Sequence, residues 1–479
     1  MEKDNVEKIV KELGLTFETS NGEQSGEQTS ILPELGDGVS LEERLYGGKP
    51  QGYVVYSKLF KSSQAPEEPS RRPKFIRDIT EPAPKNVKTA AGNFAIPAFA
   101  TYASGVNFPY NDNTTKELRT NCYVVGLNGA GKGFVKDLLD VILRPIKEDD
   151  EPEWEGHLEY NEEKEAAGDE KTRKRPKTKI RVLPTNITKP ELNDIGKNTD
   201  GKPLFMHVPE PDELDTLKGG PKGRQHFEIL KKADDENNTA GQLRAGSKSV
   251  SAKYCLRLNY VIEIRPTQLL GFFNQEIING ARDRASFVEV PPLEDKHQWP
   301  TRGEMGDKYF EKILPYIRNI QAAKGTITCS RINKLIDKIR KEFFEYYDET
   351  QDDVLELITH RALCRAFKRA CLIYIAEGQQ WDPALSTWIR WSFMYDMWMH
   401  FHYFYDAING KNAQLQTTKK GPDSIVDMLG DEFTFGQLKQ LYIEQGKDAN
   451  DKQLHGVLRT WVNRKKVKRT ETGFRKIKK

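Results

Sequence analysis

Two rhythms alternate along this chain. Short apolar runs at 122–125, 180–183, 204–208 and 255–264 read as strands. Between them, residues 134–143, 190–195 and 225–233 have a helical pattern. Strands alternating with helices predict a parallel α/β sheet with flanking helices. A small, apolar stretch at 90–104 predicts a buried helix ahead of the first of these strands. From 307 to 410 the pattern becomes long amphipathic helices. The last stretch reads helix (434–445), loop, helix (451–463), then a hairpin over 467–477 with Thr472-Gly473 at its tip. That is the order of a winged helix-turn-helix. At the other end, Val6, Ile9, Val10 and Leu13 predict a short helix. Residues 16–40 are polar and read as flexible, and 61–85 are Pro-, Ser- and charge-rich and read as a linker. The expected organisation is an arm or linker over 1–85, an α/β core over 86–300, a helical region over 301–420 and a small basic module over 421–479.

The chemistry sits where the first strand meets its helix. Gly126-Leu-Asn128-Gly129-Ala130-Gly131-Lys132-Gly133 follows the 122–125 run and precedes Phe134. Strand, glycine-rich loop and helix in that order form a phosphate-binding P-loop. Glycines let backbone N–H groups curl around an anion, and the positive end of the helix faces the same anion. The candidate nucleotide-binding residues are therefore Gly126, Asn128, Gly129, Ala130, Gly131, Lys132, Gly133 and Phe134, with Lys132 neutralising the outer phosphates. The pattern departs at Gly133, where a Ser or Thr hydroxyl usually holds Mg²⁺. The core over 86–300 is thus expected to be a P-loop NTPase that takes ATP and Mg²⁺.

Hydrolysis needs an acid near a strand tip. The 204–208 strand runs into Glu210-Pro-Asp212-Glu213. Asp212 is the expected metal residue and Glu213 the base that activates water, with Glu210 its rival. Thr267 and Gln268, after the 255–264 strand, are weaker γ-phosphate sensors. Arg284 is the expected arginine finger toward a neighbouring subunit, with Arg282 second. The bland alternative is an ion pair from Arg284 to Asp283 or Glu289.

Global charge points to no partner, since 74 basic and 71 acidic residues leave a net charge of only +3. Its distribution does. From Asp451 onward the basic residues far outnumber the acidic ones, an electrostatic footprint for phosphates. Lys452, Arg459, Arg464, Lys466 and Arg475 are the expected DNA contacts there. Lys231, Arg244 and Lys248 are expected on a mobile loop lining a channel. A charged stretch over 147–179 is expected to be a solvated projection, with a basic end that could lie against nucleic acid. Trp391–Tyr405, dense in aromatics, is expected to be core. Five scattered cysteines without CxxC spacing indicate neither zinc nor a disulfide framework and fit a reducing cytosol. With no apolar leader and no run long enough for a membrane span, the chain is expected in the cytoplasm.

The order of these motifs resembles the P-loop domain of primase-helicase-like proteins of phages and conjugative elements, over residues 90–290. The family's glycine-lysine-glycine loop is similar to Gly129-Ala-Gly131-Lys132-Gly133. Its acidic Asp-Thr-Leu run corresponds to Asp215-Thr216-Leu217 and favours Glu213 as the catalytic acid. Its Pro-x-Gln matches Pro266-Thr267-Gln268, and its Asn-Gly followed by an arginine corresponds to Asn279-Gly280 and Arg284, with different flanking residues. The resemblance implies an ATP-dependent DNA helicase or replication initiator of a mobile element, forming a ring, expected to be a hexamer. The alternative is a nucleotide-gated DNA-binding or loader protein with little hydrolysis. No primase pattern occurs in residues 1–90.

Overall fold

Five strands run in one direction: β1 (Asn121–Gly126), β2 (Val182–Leu183), β3 (Leu204–Val208), β4 (Leu258–Ile264) and β5 (Phe287–Val290). They pair in the order β2-β3-β4-β1-β5, and every pairing is parallel. The fold is described from a computed structural model that covers residues 64–167, 176–217, 225–243, 251–274, 280–293, 297, 299–350, 353–419, 425–426, 428–444, 450–463, 466–470 and 472–477. The chain divides into two compact units, one ending at Tyr405 and the other running from Asp406 to Lys479.

β1 and β4 are buried at every position, which is why their sequences run apolar instead of alternating. Helix Lys88–Ala100 is buried from Ala90 to Ala100 and packs against β1, β4 and β5. Tyr123 lies against Tyr260, Phe273 and Phe287, with centroid distances of 6.0, 5.3 and 5.3 Å, and Phe404 closes over the last two. The aromatic run 391–405 thus is core, as its composition predicts: Trp391, Phe393, Trp398 and Phe404 are buried.

The outer strands are tied down by side chains. The buried carboxylate of Asp150 accepts from the N–H groups of Arg181 and Val182 at 2.8 to 3.0 Å. On the opposite edge the Tyr395 hydroxyl accepts from Glu289 N–H at 3.0 Å. Asp150 lies on helix Gly133–Ala167, so the acidic part of the 147–179 stretch continues the helix that starts at the glycine-rich loop.

Three features go beyond the sequence pattern. β5 is not evident in the sequence pattern, being only Phe-Val-Glu-Val ahead of a proline. From residue 64 onward the expected linker is packed: helix Lys74–Ile79 buries Phe75 between Phe99 and Tyr316, at 4.9 and 5.2 Å. The helices Asp307–Ala322, Ser330–Thr350 and Asp353–Ala376 belong to the same unit as the sheet. The reason is a set of buried cations. Arg365, Lys368 and Arg369 share one face of helix Asp353–Ala376. Arg365 pairs with Asp396 at 2.6 Å and donates to the Asp283 carbonyl. Lys368 pairs with Glu236 at 3.1 Å and donates to the Arg119 carbonyl. Arg369 donates to Ser392 and Ser286. Removing Asp396 would leave the buried Arg365 without its carboxylate, which costs several kcal/mol (about 3–5).

The second unit has its own core of Phe433, Leu438, Leu454, Leu458, Trp461 and Val467. Thr434 opens helix Phe435–Glu444 as expected: its N–H donates to Gln437 Oε1 at 2.8 Å, and its hydroxyl accepts from Gln437 N–H at 3.3 Å. Helix Asp451–Asn463 follows. Strands Val467–Arg469 and Phe474–Lys476 then form the expected hairpin, and Glu432–Phe433 adds a third, antiparallel strand. Among the described residues no helix is long and apolar enough to cross a membrane.

His400 reports on the buried network. Its Nδ1 lies 3.3 Å from the Arg282 guanidinium, and its Nε2 lies 3.0 Å from the Arg365 guanidinium and 3.1 Å from the Ala285 carbonyl oxygen, so two cations face the ring. Burial, then Arg365 and Arg282, hold its pKa well below 6.5. Above about pH 6.5 the ring is neutral folded or unfolded. As pH falls below that value the unfolded chain gains a proton that the folded chain refuses, so stability drops by up to about 1.4 kcal/mol per pH unit. In urea titrations between pH 7 and 5, His400→Gln is expected to show a shallower loss than the parent; an identical slope would rule His400 out as its source.

Candidate functional site

Because every strand of the sheet is parallel, all five C-terminal tips share one edge. The glycine-rich loop leaves β1 there. Gly129 and Gly131 have φ of +80° and +93°, a backbone turn that a side chain resists. A Cβ on Gly126 would lie 3.2 Å from Lys132 Cδ and 3.3 Å from the Val290 carbonyl oxygen. The Lys132 side chain therefore folds back over the end of β1. Ala130 and Phe134 are buried and anchor the loop from beneath.

Within the loop, Ala130 N–H donates to Leu127 and Phe134 N–H to Gly131. The N–H groups of Gly129, Gly131, Lys132 and Gly133 have no acceptor among the described residues. Four free donors, the start of a long helix and one folded-back lysine form a concave cation, suited to a phosphate chain.

Residues distant in sequence hold this loop. The Asn86 amide donates to the Ala130 and Pro291 carbonyls, each at 2.9 Å, and so clamps the loop to the end of β5. A Cβ on Gly131 would lie 3.4 Å from both Val87 and Pro300, and one on Gly133 would lie 3.2 Å from Arg302 Nη2. Arg302 is itself paired with Asp137, one turn into the helix. Asn86, Pro300 and Arg302 carry no periodic or motif signal, and sequence reasoning missed them.

β4 stands between β1 and β3, so the acidic strand is two positions from the loop strand, about 10 Å away. The register puts Val208 level with Ile262, and Val125 level with Ile264. Glu210 thus reaches the height of the loop, 3.8 Å from Arg265 at the tip of β4. Asp212 and Glu213 follow on a short 3₁₀ turn, Pro211–Leu217, and both are exposed. Among the described residues no group of three or more His, Cys, Asp or Glu could hold a metal. Gln268 instead serves its own helix, accepting from Arg265 N–H at 3.4 Å. Deeper in the sheet, His207 meets Glu263 across β3 and β4 at 3.0 Å, a pair the sequence did not suggest.

Arg284 lies at the opposite edge, just before β5. It donates twice to Asp235, at 3.0 and 2.8 Å, and to the Gly280 carbonyl. Its ion-pair partner is thus Asp235, not Asp283 or Glu289. Arg282 is fully buried against Asp283. Lys231 lies on helix Gln225–Asp234 and not on a loop. A two-stranded ribbon, Ala240–Gln242 with Ala252–Tyr254, follows it, and Arg244 and Lys248 lie outside the described residues. In the second unit Arg459 is exposed, Lys466 is half-buried and Arg475 pairs with Glu432. Arg464 lies outside the described residues, as does the Lys452 side chain. Lys468 and Arg469 add two exposed bases on the hairpin.

The clamp can be tested directly. Asn86→Ala is expected to lower stability by about 1 kcal/mol in urea unfolding. Asn86→Asp should cost more, because it turns a carboxylate toward two carbonyl oxygens; the reverse ranking would remove the clamp as the reason for Asn86. No protein-family model matches the chain, and no curated protein matches it in sequence.

Proposed function

We propose that this protein is a P-loop ATPase that acts on DNA, a helicase or replication initiator of a mobile element. The observation that carries this reading is the group of four N–H donors without acceptors, closed by Lys132, at the carboxyl edge of a parallel sheet. The N–H groups of Gly129, Gly131, Lys132 and Gly133, with the Lys132 ammonium, would hold the triphosphate. Gly133 offers no hydroxyl to Mg²⁺, but Mg²⁺ keeps most of its waters and needs only one or two carboxylates alongside phosphate oxygens. Asp212 would supply one, and the bound metal would neutralise charge on the phosphates. The strand between β1 and β3 leaves room for a water between an acid on the β3 side and the phosphate edge. Glu213 would orient and deprotonate that water, with Glu210 its alternative. Arg284 sits too far from its own loop to serve it, so its role would be toward a neighbouring copy in a ring, after leaving Asp235.

The exposed bases of the second unit, in a helix-helix-hairpin order, support a winged helix that grips DNA. A second reading, a nucleotide-gated DNA-binding protein with little hydrolysis, is favoured by Gly133 and by the exposure of Asp212 and Glu213.

Calorimetric titration with ATP should give binding that Lys132→Ala abolishes without loss of far-ultraviolet circular dichroism. Phosphate release should fall at least about 100-fold in Glu213→Gln; an unchanged rate would favour the second reading or shift the base to Glu210. Arg459→Ala is expected to weaken DNA binding and to lower the slope of log affinity against log salt by about 1. A slope that stays put would take Arg459 out of the interface.

A further inference from the structure

The strand of chain from Trp299 to Gly303 crosses the glycine-rich loop, and three glycines make room for it. Pro300 touches the open side of Gly131, and Arg302 touches that of Gly133. At the far end Gly303 N–H donates to the Pro82 carbonyl at 2.9 Å, where a Cβ would lie 2.9 Å from Pro82 Cα. The crossing is therefore held against the loop and pinned at its Gly303 end. Two of its side chains bear on the loop's function. Trp299 leaves 88% of its surface in solvent, although it is one residue, about 3.8 Å of backbone, from the proline that contacts Gly131. Arg302 brings a guanidinium to the position where a P-loop would carry a hydroxyl.

We propose that Trp299 and Arg302 complete the nucleotide site: Trp299 is the platform on which the base stacks, and Arg302 is a second phosphate cation in the place of the missing Ser or Thr. This rests on the reading of the loop as a nucleotide cradle. An indole offers a flat face to any base, since every base has a π-face, so the site takes purine and pyrimidine nucleotides without base-specific hydrogen bonds. A guanidinium makes paired hydrogen bonds to phosphate oxygens. Asp137 keeps Arg302 within reach of the cradle.

Calorimetry on the full chain with a non-hydrolysable ATP analogue and with inorganic tripolyphosphate separates the parts. Trp299→Ala is expected to weaken the ATP analogue about ten-fold and leave tripolyphosphate unchanged, with Trp299→Phe recovering most of the loss. Arg302→Ala should weaken both ligands about ten-fold, and Arg302→Lys should recover part. Both residues are at the surface, so folding is not at stake. If Trp299→Ala binds both ligands as the parent does, or weakens both equally, stacking is overturned; if Arg302→Ala binds both as the parent does, so is its phosphate contact. In each of those cases Lys132→Ala still loses both ligands and the cradle stands. If the parent chain binds neither ligand, the cradle itself fails and this inference with it.

Discussion

Strand direction is the constraint on which the rest of this molecule depends. Five parallel strands end at one edge, and that alone gathers the glycine-rich loop, Glu210, Arg265 and the end of β5 into one place. An antiparallel sheet built from the same residues would scatter them over both edges. A parallel sheet must also be covered on both faces. The segments around it bring Asn86, on the short 3₁₀ turn Lys85–Val87 before the loop strand, and Arg302, on the irregular stretch ahead of helix Asp307–Ala322, and both residues touch the loop.

The opposite edge obeys different physics. There, buried cations from helix Asp353–Ala376 and neutral His400 bind carbonyls of Arg119, Asp283 and Ala285. Burial of so many charges works only because each has a carboxylate, carbonyl or hydroxyl within reach. The result is a division of labour within one sheet. The lower edge is locked into the helical part, while the upper edge keeps exposed donors and acids that are available to a ligand.

Much of this was legible in the sequence, for local reasons. β1, β3 and β4 are long enough, and buried on both faces, so their apolar runs stand out. The glycine-rich loop announces itself because a tight turn between strand and helix needs glycines at fixed offsets. Thr434 and Gln437 are a cap that reads three residues at a time. What failed to show was non-local. Phe75 and Ile76 sit in a charged, proline-rich stretch whose average composition hides two core residues. β5 is four residues long. Asn86, Pro300 and Arg302 reach the loop from 44 or more residues away in sequence, and neither periodicity nor motif spacing carries such contacts. Gln268 is the converse case: a residue that looks like a sensor and is held by its own helix start.

Both outer strands of the sheet have a side chain on their outward backbone, Asp150 on one and Tyr395 on the other. Lateral growth of the sheet is therefore blocked where those donors are occupied. A second copy arriving at either flank would find a carboxylate or a phenol where a strand needs amide hydrogens. Association at the flanks of this sheet would then rest on side-chain surfaces, with geometry set by shape and charge and not by ladder pairing.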